Sequence, residues 1–354
     1  MQWKRHITGL VFSIVFVVSY FTNKFVLSVL KFTYPTLFQG WQTFIGAVLL
    51  LLSGKFGWVE MSRITRSAAF SWLPGSLLFV GNIYAGSRAL SRIDIPIFFT
   101  LQNSSYVVSY IILKVVHREK TRWLKLISVC LMLLSAINLP LHDPQFDYSG
   151  YLWAVGHLLC VGAYRAFQVH YKSSNLSDLE QQCINYLFSV LLLAMAAHPT
   201  GDLMGAMEFP SLQSYTFHCG CCASALLGFL LLLATVKLKS GLSLEHFGVW
   251  IFLSKITTMS LSPFIFYMDI NTPSLICVVI SHVGEALLVY SHRDSQLSSA
   301  NLLTPGRIDG DLSVVESGLC SSVDEGEERL YTTYHARLVS KFKATGFCDR
   351  FFQI

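Results

Sequence analysis

Ten long apolar runs constrain the fold of this chain more than any other feature of its sequence. They fall at about 7–29, 34–53, 71–90, 95–115, 124–141, 150–170, 181–198, 218–236, 246–267 and 273–291. Each is close to the length of about 20 residues that an α-helix needs to cross a bilayer. A helix also satisfies its own backbone hydrogen bonds in lipid. The sequence therefore predicts an all-α polytopic membrane protein with ten transmembrane helices.

The composition supports a membrane module followed by a tail. Hydrophobic residues make up 53% of the 354 residues and charged residues only 13%, whereas soluble domains carry about 25% charge. From residue 295 onward the chain has no run of spanning length and becomes rich in Ser, Gly and acidic residues. Such segments cannot bury enough apolar surface to fold. We expect a membrane module over 1–294 and a disordered cytosolic tail over 295–354.

The charges between the runs predict the orientation in the membrane. If the N-terminus is cytosolic, the loops on the opposite side contain only Lys31 and Arg92 as basic residues. The cytosolic loops then hold Lys4, Arg5, Lys55, Arg63, Arg66, Arg118, Lys120, Arg122, Lys125, Lys172, Lys237, Lys239 and Arg293. Cytosolic loops of membrane proteins carry this excess of Lys and Arg. Both termini are therefore expected in the cytosol.

Polar side chains within the apolar runs are the candidates for function. Lys255 lies midway along the ninth run, where a charge costs at least ~2.5 kcal/mol and usually faces a cavity or a partner. Others occupy comparable places in the remaining runs: Asn23, Lys24, Arg88, Gln102, Asn103, Arg165, Asn185, Tyr186 and Glu285. Lys and Arg would hold a diphosphate. Amides and Tyr would bind the edge and the ring of a nucleobase.

Each of these residues also has an interpretation without function. Lys255 and Glu285 would pair for architecture alone, and Lys24 would extend to the lumenal interface. Arg165, late in the sixth run, would extend in the same way toward the cytosolic surface, and the amides would only join helices. No catalytic motif, metal-ligand spacing or nucleotide-binding loop is present. We expect no enzyme activity, no cofactor, no metal and no nucleic-acid partner.

Two stretches carry a resemblance to a known family. Trp72–Ser76 and Ile83–Phe98, which contains Tyr84, Arg88 and Ile95-Pro96-Ile97, resemble the third and fourth helices of nucleotide-sugar transporters. The similarity is to the GDP-mannose-transporter-like group of the drug/metabolite transporter superfamily. Asn23-Lys24 resembles the first-helix Asn-Lys of the related sugar-phosphate transporters. The resemblance covers nearly the whole membrane module and leaves out the tail.

The functional motifs of that group are retained only in part. Where GDP-mannose transporters have Phe-Tyr-Asn-Asn, this chain has Cys183-Ile184-Asn185-Tyr186. Where they have Gly-Ala-Leu-Asn-Lys, it has Ile251-Phe252-Leu253-Ser254-Lys255. The lost guanine motif argues against GDP-mannose and favours uracil as the base. The chain is also similar to vertebrate Golgi transporters of UDP-N-acetylglucosamine.

The resemblance implies an inverted pair of five-helix repeats around a site at the membrane midplane. It implies UDP-N-acetylglucosamine as the substrate, exchange for UMP, a multi-pass Golgi protein in contact with membrane lipids, and a homodimer. GDP-mannose or another UDP-sugar is the alternative substrate. The alternatives of other classes are a membrane-embedded transferase, with Glu285 and His282 as its one candidate acid–base pair, and a structural or trafficking protein.

The expected substrate-binding residues divide by the part of the ligand they would hold. Lys255 and Arg88 would bind the diphosphate. The base would contact Asn185 and Tyr186, and the ribose or sugar would contact Gln102, Asn103 and Ser254. The set is completed by Lys24 at the lumenal gate, Tyr84 beside Arg88, and Glu285 beside Lys255.

Overall fold

The computed structural model describes residues 2–62, 64–117, 122–171 and 176–302, and all regular secondary structure in these ranges is helical. The helices are α1 (Gln2–Lys24), continued by a π-helical segment (Phe25–Val29), α2 (Pro35–Lys55), α3 (Arg66–Leu90), α4 (Ile95–Asn103), α5 (Ser105–His117), α6 (Trp123–His142), α7 (Tyr148–His170), α8 (Asp178–Ala197), α9 (Asp202–Met207), α10 (Tyr215–Gly241), α11 (Leu244–Ile265) and α12 (Thr272–Leu302). The prediction of an all-helical protein is confirmed.

Every predicted apolar run overlaps one or two of these helices. Within the described residues, seven helices are both long enough and apolar enough to cross a membrane: α1 with its π-helical extension, α2, α6, α8, α10, α11 and α12. The other runs correspond to α3 and α7, which carry more polar side chains, and to α4 and α5, which are each short. The count of ten spans and the five-plus-five repeat stay predictions.

Side-chain caps and prolines set several helix starts. Pro35 begins α2, where a missing backbone N–H costs nothing. Asp147 precedes α7 and accepts hydrogen bonds of 3.2 Å from the backbone N–H groups of Ser149 and Gly150. Ser177 and Glu180 form a reciprocal capping box at the start of α8. These local signals fix where the chain leaves its loops and enters the helices.

The helices bury aromatic side chains between them and expose apolar ones outward. Phe16 of α1 packs against Phe99 of α4, with ring centroids 6.1 Å apart, and both rings are buried. On α10, by contrast, Leu226 and Leu230 are about half exposed. Exposed leucines on long apolar helices are the expected surface of a protein in contact with lipid.

The last helix continues past the predicted end of the membrane module. α12 runs to Leu302, whereas the sequence predicts that the tail begins at residue 295. The remainder of that predicted tail, residues 303–354, lies outside the described residues.

Candidate functional site

Lys255 is the centre of a buried polar cluster midway along α11. Its Nζ lies 2.5 Å from Glu285 Oε1 on α12 and donates a hydrogen bond of 2.8 Å to Asn103 Oδ1 on α4. None of the three residues is more than 4% exposed. A cation at this depth is tolerated only when it is paired and hydrogen-bonded. We call these three residues the Lys255 cluster.

The helix that supplies Asn103 tightens by a short turn at the next residue without leaving right-handed helical geometry. α4 ends at Asn103 and α5 begins at Ser105, with Ser104 between them at φ −65° and ψ −10°. The Ser104 hydroxyl donates a hydrogen bond of 3.3 Å to the carbonyl oxygen of Met132 on α6. The Ser104 N–H donates a hydrogen bond of 3.0 Å to the Leu101 carbonyl oxygen, which is the bond of a 3₁₀ turn. This tightened turn adjoins the Lys255 cluster.

A second cation approaches this cluster through an aromatic ring. Lys255 Nζ lies 5.8 Å from the centroid of the Tyr106 ring, and Arg165 Cζ lies 4.0 Å from the same centroid. Arg165 Nη1 also donates a hydrogen bond of 2.9 Å to Ser105 Oγ. Cations are attracted to the face of an aromatic ring. Two cations beside one ring and one carboxylate give this part of the molecule an excess of positive charge, which favours an anion.

Arg165 is therefore a candidate site residue that the sequence did not assign. An arginine late in an apolar run can extend to the membrane surface as well as face a neighbouring helix. Its position in the sequence therefore does not predict its contact with α5. The structure shows it half-buried, with its guanidinium on Ser105 and Tyr106. Tyr106 does have a sequence signal, because it follows Gln102 and Asn103 by about one helical turn and so lies on the same face.

Gln102 and Asn103 are neighbours in sequence but contact different helices. Gln102 Nε2 lies 3.3 Å from His157 Nε2 on α7, whereas Asn103 Nδ2 donates a hydrogen bond of 3.4 Å to Ser281 Oγ on α12. Successive residues of an α-helix point about 100° apart. Gln102 Oε1 is buried and has no hydrogen-bond partner among the described residues, so it is an available acceptor.

Asn185 forms a separate cluster with α3 and α7. Its Oδ1 accepts hydrogen bonds from Trp72 Nε1 at 3.0 Å and from Ser76 Oγ at 2.9 Å. Its Nδ2 donates to the Tyr164 hydroxyl at 2.8 Å. Tyr186 packs in an apolar group instead, with its ring 6.1 Å from that of Phe79. Neither residue contacts the Lys255 cluster through these interactions.

Arg88 lies near the C-terminal end of α3, in an ion pair with Asp202 of α9. Arg88 Nη2 is 3.3 Å from Asp202 Oδ1 and 3.4 Å from the Tyr84 hydroxyl. Its guanidinium also lies 6.0 Å from the Trp153 ring centroid. Asp202 Oδ2 accepts further bonds from the backbone N–H and the hydroxyl of Thr36, at 3.0 and 2.6 Å. The sequence predicts that Arg88 and Lys255 bind the diphosphate together, but none of these Arg88 contacts involves the Lys255 cluster.

Lys24 closes the end of α3 rather than extending to an interface. Its Nζ donates hydrogen bonds to the carbonyl oxygens of Leu90 at 3.0 Å and Ile93 at 2.7 Å, and the residue is 4% exposed. The last carbonyl groups of a helix lack partners within it, and a cation there is favourable. Burial raises the pKa of the nearby Asp94 carboxyl, and the charge of Lys24 opposes that rise.

Ser254 and a cavity complete the surroundings of the cluster. The Ser254 hydroxyl is fully buried, 2.8 Å from Ser13 Oγ of α1. A cavity of about 460 Å³ lies on the other side of α11, between it, α12 and the start of α4, and His282 lines it together with apolar side chains such as Ile256 and Val279. An apolar space of this kind suits neither a sugar nor a phosphate.

Comparison with curated proteins identifies two close relatives. The chain is 55% identical over 293 residues to the UDP-N-acetylglucosamine transporter TMEM241 homolog of Xenopus laevis. It is 50% identical over 295 residues to the UDP-N-acetylglucosamine transporter TMEM241 of Mus musculus. Each match covers 83% of this chain and 99% of the relative. Both relatives are named as transporters, which agrees with the expectation that this chain is not an enzyme.

More distant matches extend the same relationship. GDP-mannose transporter 2 of Neosartorya fischeri is 26% identical over 196 residues, covering 49% of this chain and 55% of the relative. The predicted resemblance to nucleotide-sugar transporters is confirmed. A crystal structure of a protein only 12% identical in sequence superposes with a TM-score of 0.50, over 81% of this chain and 98% of that one, which concerns the fold alone. No family model matches the chain.

Proposed function

The chain belongs to the family of TMEM241 UDP-N-acetylglucosamine transporters, and on this premise we propose that it carries UDP-N-acetylglucosamine from the cytosol into the Golgi lumen. The observation that carries the proposal is the buried Lys255, which is paired with Glu285 and hydrogen-bonded to Asn103. A diphosphate is bound by cations and hydrogen-bond donors in a site that excludes water when the carrier closes.

Lys255 is the residue to which we assign the diphosphate, with Arg165 as the second cation. The two cations lie within 6 Å of the Tyr106 ring centroid. Asn103 is hydrogen-bonded to Lys255, and Ser254 precedes it in the sequence. Gln102 Oε1, which has no partner among the described residues, suits a ribose or sugar hydroxyl.

The remaining predicted contacts require an exchange of partners. Arg88 would reach a phosphate only after leaving Asp202, and Asn185 would reach a base only after releasing Trp72 or Tyr164. Tyr84 and Tyr186 would move with their neighbours. Alternating access supplies such exchanges, because the carrier repacks its helices around a central site. Lys24 would take part as a gate by releasing α3.

Topology and exchange form the rest of the proposal. Ten spans with both termini in the cytosol follow from the distribution of Lys and Arg between the runs. An inverted five-plus-five repeat would place the substrate site near the membrane midplane, between its two halves. UMP is the natural return ligand, because it presents the same base and a phosphate to the same site. Contact with lipids and a homodimer remain part of the prediction.

Reconstitution tests this function directly. The full chain is inserted into sealed liposomes that contain UMP or GMP, and uptake of labelled UDP-N-acetylglucosamine, other UDP-sugars and GDP-mannose is measured. We expect saturable uptake of UDP-N-acetylglucosamine that depends on internal UMP and disappears when the vesicles are permeabilised.

Each other result points to one of the alternatives. Uptake of GDP-mannose driven by GMP would indicate the second substrate class, and uptake of another UDP-sugar would change the sugar only. Turnover of the nucleotide sugar in permeabilised vesicles would indicate a transferase. Absence of any saturable uptake would leave a structural or trafficking protein.

A further inference from the structure

His282 and Glu285 face each other on α12 with two atoms that lack partners. His282 Nε2 and Glu285 Oε2 are 4.0 Å apart, and neither has a hydrogen-bond partner within the described residues. The side chains are only 6% and 2% exposed. Buried polar atoms are rarely left unpaired in proteins.

The contact of the other ring nitrogen of His282 shows that no hydrogen-bond donor lies between Nε2 and Oε2. Nδ1 lies 2.8 Å from the carbonyl oxygen of Val278. A carbonyl oxygen can only accept, so Nδ1 carries the hydrogen, and in a neutral imidazole Nε2 then has a lone pair. The ionised Glu285 carboxylate also has only acceptors. One proton on Nε2 would convert two opposed acceptors into a charged hydrogen bond.

Glu285 links this gap to the Lys255 cluster. Its Oε1 is bonded to Lys255 Nζ and its Oε2 faces His282. While Lys255 is bonded to Glu285, the charge of the carboxylate is compensated. A phosphate oxygen that takes over Lys255 would remove this compensation and leave two anions beside one ammonium group. Uncompensated buried charge is strongly unfavourable.

We propose that His282 and Glu285 form a proton-binding site, and that binding of a nucleotide sugar at Lys255 is accompanied by uptake of one proton there. This inference rests on the proposed function. On binding, Lys255 Nζ passes from Glu285 Oε1 to a phosphate oxygen. A proton from solvent bonds to His282 Nε2, which then donates to Glu285 Oε2. The imidazolium replaces the ammonium group as the partner of the carboxylate, so the charges remain balanced.

Among the described residues, the elements packed against the pair add no second imidazole–carboxylate pair, and α6 contributes the uncharged Ser128, which donates to the Gly284 carbonyl oxygen. α11 contributes Lys255, α4 contributes the uncharged Asn103, and α5 contributes Tyr106 beside Lys255. Arg165 of α7 acts across the Tyr106 ring. Within the described ranges His157 of α7 is also buried, and it contacts the backbone of Asn82 and the amide of Gln102 instead of this pair.

Proton uptake on binding has a definite sign. A ligand that binds together with a proton binds more tightly as the pH falls, and the proton in turn binds more tightly in the presence of the ligand. The dissociation constant of UDP-N-acetylglucosamine is therefore expected to rise with pH, by up to about tenfold per pH unit. The diphosphate of this substrate is a diester and does not titrate near neutral pH, so the effect reports the protein.

Calorimetry on the purified full chain tests the proposal. UDP-N-acetylglucosamine is titrated into the wild-type protein at about pH 6, 7 and 8, in two buffers with different heats of ionisation, and the difference in heat gives the protons taken up. We expect uptake that approaches one proton per ligand. His282→Gln is expected to bind more weakly, with no proton uptake and with a flat pH profile, because a Gln amide donates to Glu285 without supplying the charge that balances it.

Controls separate this inference from the proposed function. Glu285→Gln should also bind without proton uptake, and His157→Gln should keep the wild-type pH slope. Wild-type binding without proton uptake, or an unchanged slope in His282→Gln, would overturn the proton site and leave the transport function standing. Absence of binding by every nucleotide sugar at every pH would overturn both. Because the wild-type titration is decisive alone, a variant that fails to fold does not prevent a result.

Discussion

The indole N–H of Trp72 donates a hydrogen bond of 3.0 Å to the side-chain oxygen of Asn185. This bond crosses from α3 to α8, and Ser76 and Tyr164 complete the shell of the same amide. Asn185 is fully buried and so joins three helices through one side chain. In this conformation its contacts are those of a residue that fixes helix positions, and a base would have to displace one of them.

Replacing Asn185 with Leu is expected to reduce stability. The substitution keeps much of the volume but leaves the Trp72 N–H and the Tyr164 hydroxyl without their partners, which costs about 1–3 kcal/mol. Thermal unfolding of the purified protein measures the loss. Asn138→Leu is the matched control, because the Asn138 amide donates within its own helix α6, to the carbonyl oxygen of Leu134. Equal melting temperatures for the two variants would contradict the structural role.

The effect of removing Lys255 can be divided into a stability effect and a transport effect. Lys255→Met leaves Glu285 buried without its cation, which costs about 3–5 kcal/mol, and uptake is expected to be lost. Adding Glu285→Gln removes the unpaired charge, so most of the stability should return while uptake does not. Liposome uptake and thermal unfolding of both variants provide the measurements. Wild-type uptake by the double variant would exclude Lys255 from substrate binding.

The Lys255–Glu285 pair was accessible from the sequence because charge within an apolar run has few possible partners. Glu285 is the one acidic residue inside the ten runs, and a Lys within the membrane needs such a partner. The all-helical fold follows from the same source, since apolar runs of spanning length allow no other structure in lipid.

The neighbours of the other candidate site residues could not be predicted from the sequence in this way. The sequence gives the position of Asn185 and Gln102 along their helices. It does not show which helix packs against each side chain, because that depends on tertiary packing. Tertiary packing also brings Arg88 to Asp202 of the short helix α9, a helix that no apolar run predicts. The sequence placed Arg88 with Lys255 because both are cations suited to a diphosphate, and chemistry alone does not give distance.

The Arg88–Asp202 ion pair should control how readily Arg88 reaches a substrate. Asp202→Asn keeps an oxygen for Thr36 but removes the charge that holds Arg88. If Arg88 joins the diphosphate, the KM for UDP-N-acetylglucosamine is expected to fall by about fivefold, or ~1 kcal/mol. Asp147→Asn is the control, because the Arg92–Asp147 pair is exposed and contributes little. An unchanged KM in Asp202→Asn would place Arg88 outside the site.

Close packing of α5 against α7 is expected to hold Arg165 in place. A Cβ at Gly162 of α7 would lie 2.7 Å from the Ser105 carbonyl oxygen and 2.5 Å from Val108 Cβ. Gly162→Ala must therefore push α5 away, at a cost of about 1–3 kcal/mol, and displace Ser105, which binds Arg165. We expect a lower melting temperature and a higher KM. Gly228→Ala on α10 meets no atom within 4 Å and should be neutral or stabilising by up to about 1 kcal/mol. A Gly162→Ala protein that matches Gly228→Ala in both measurements would show that this contact does not position the site.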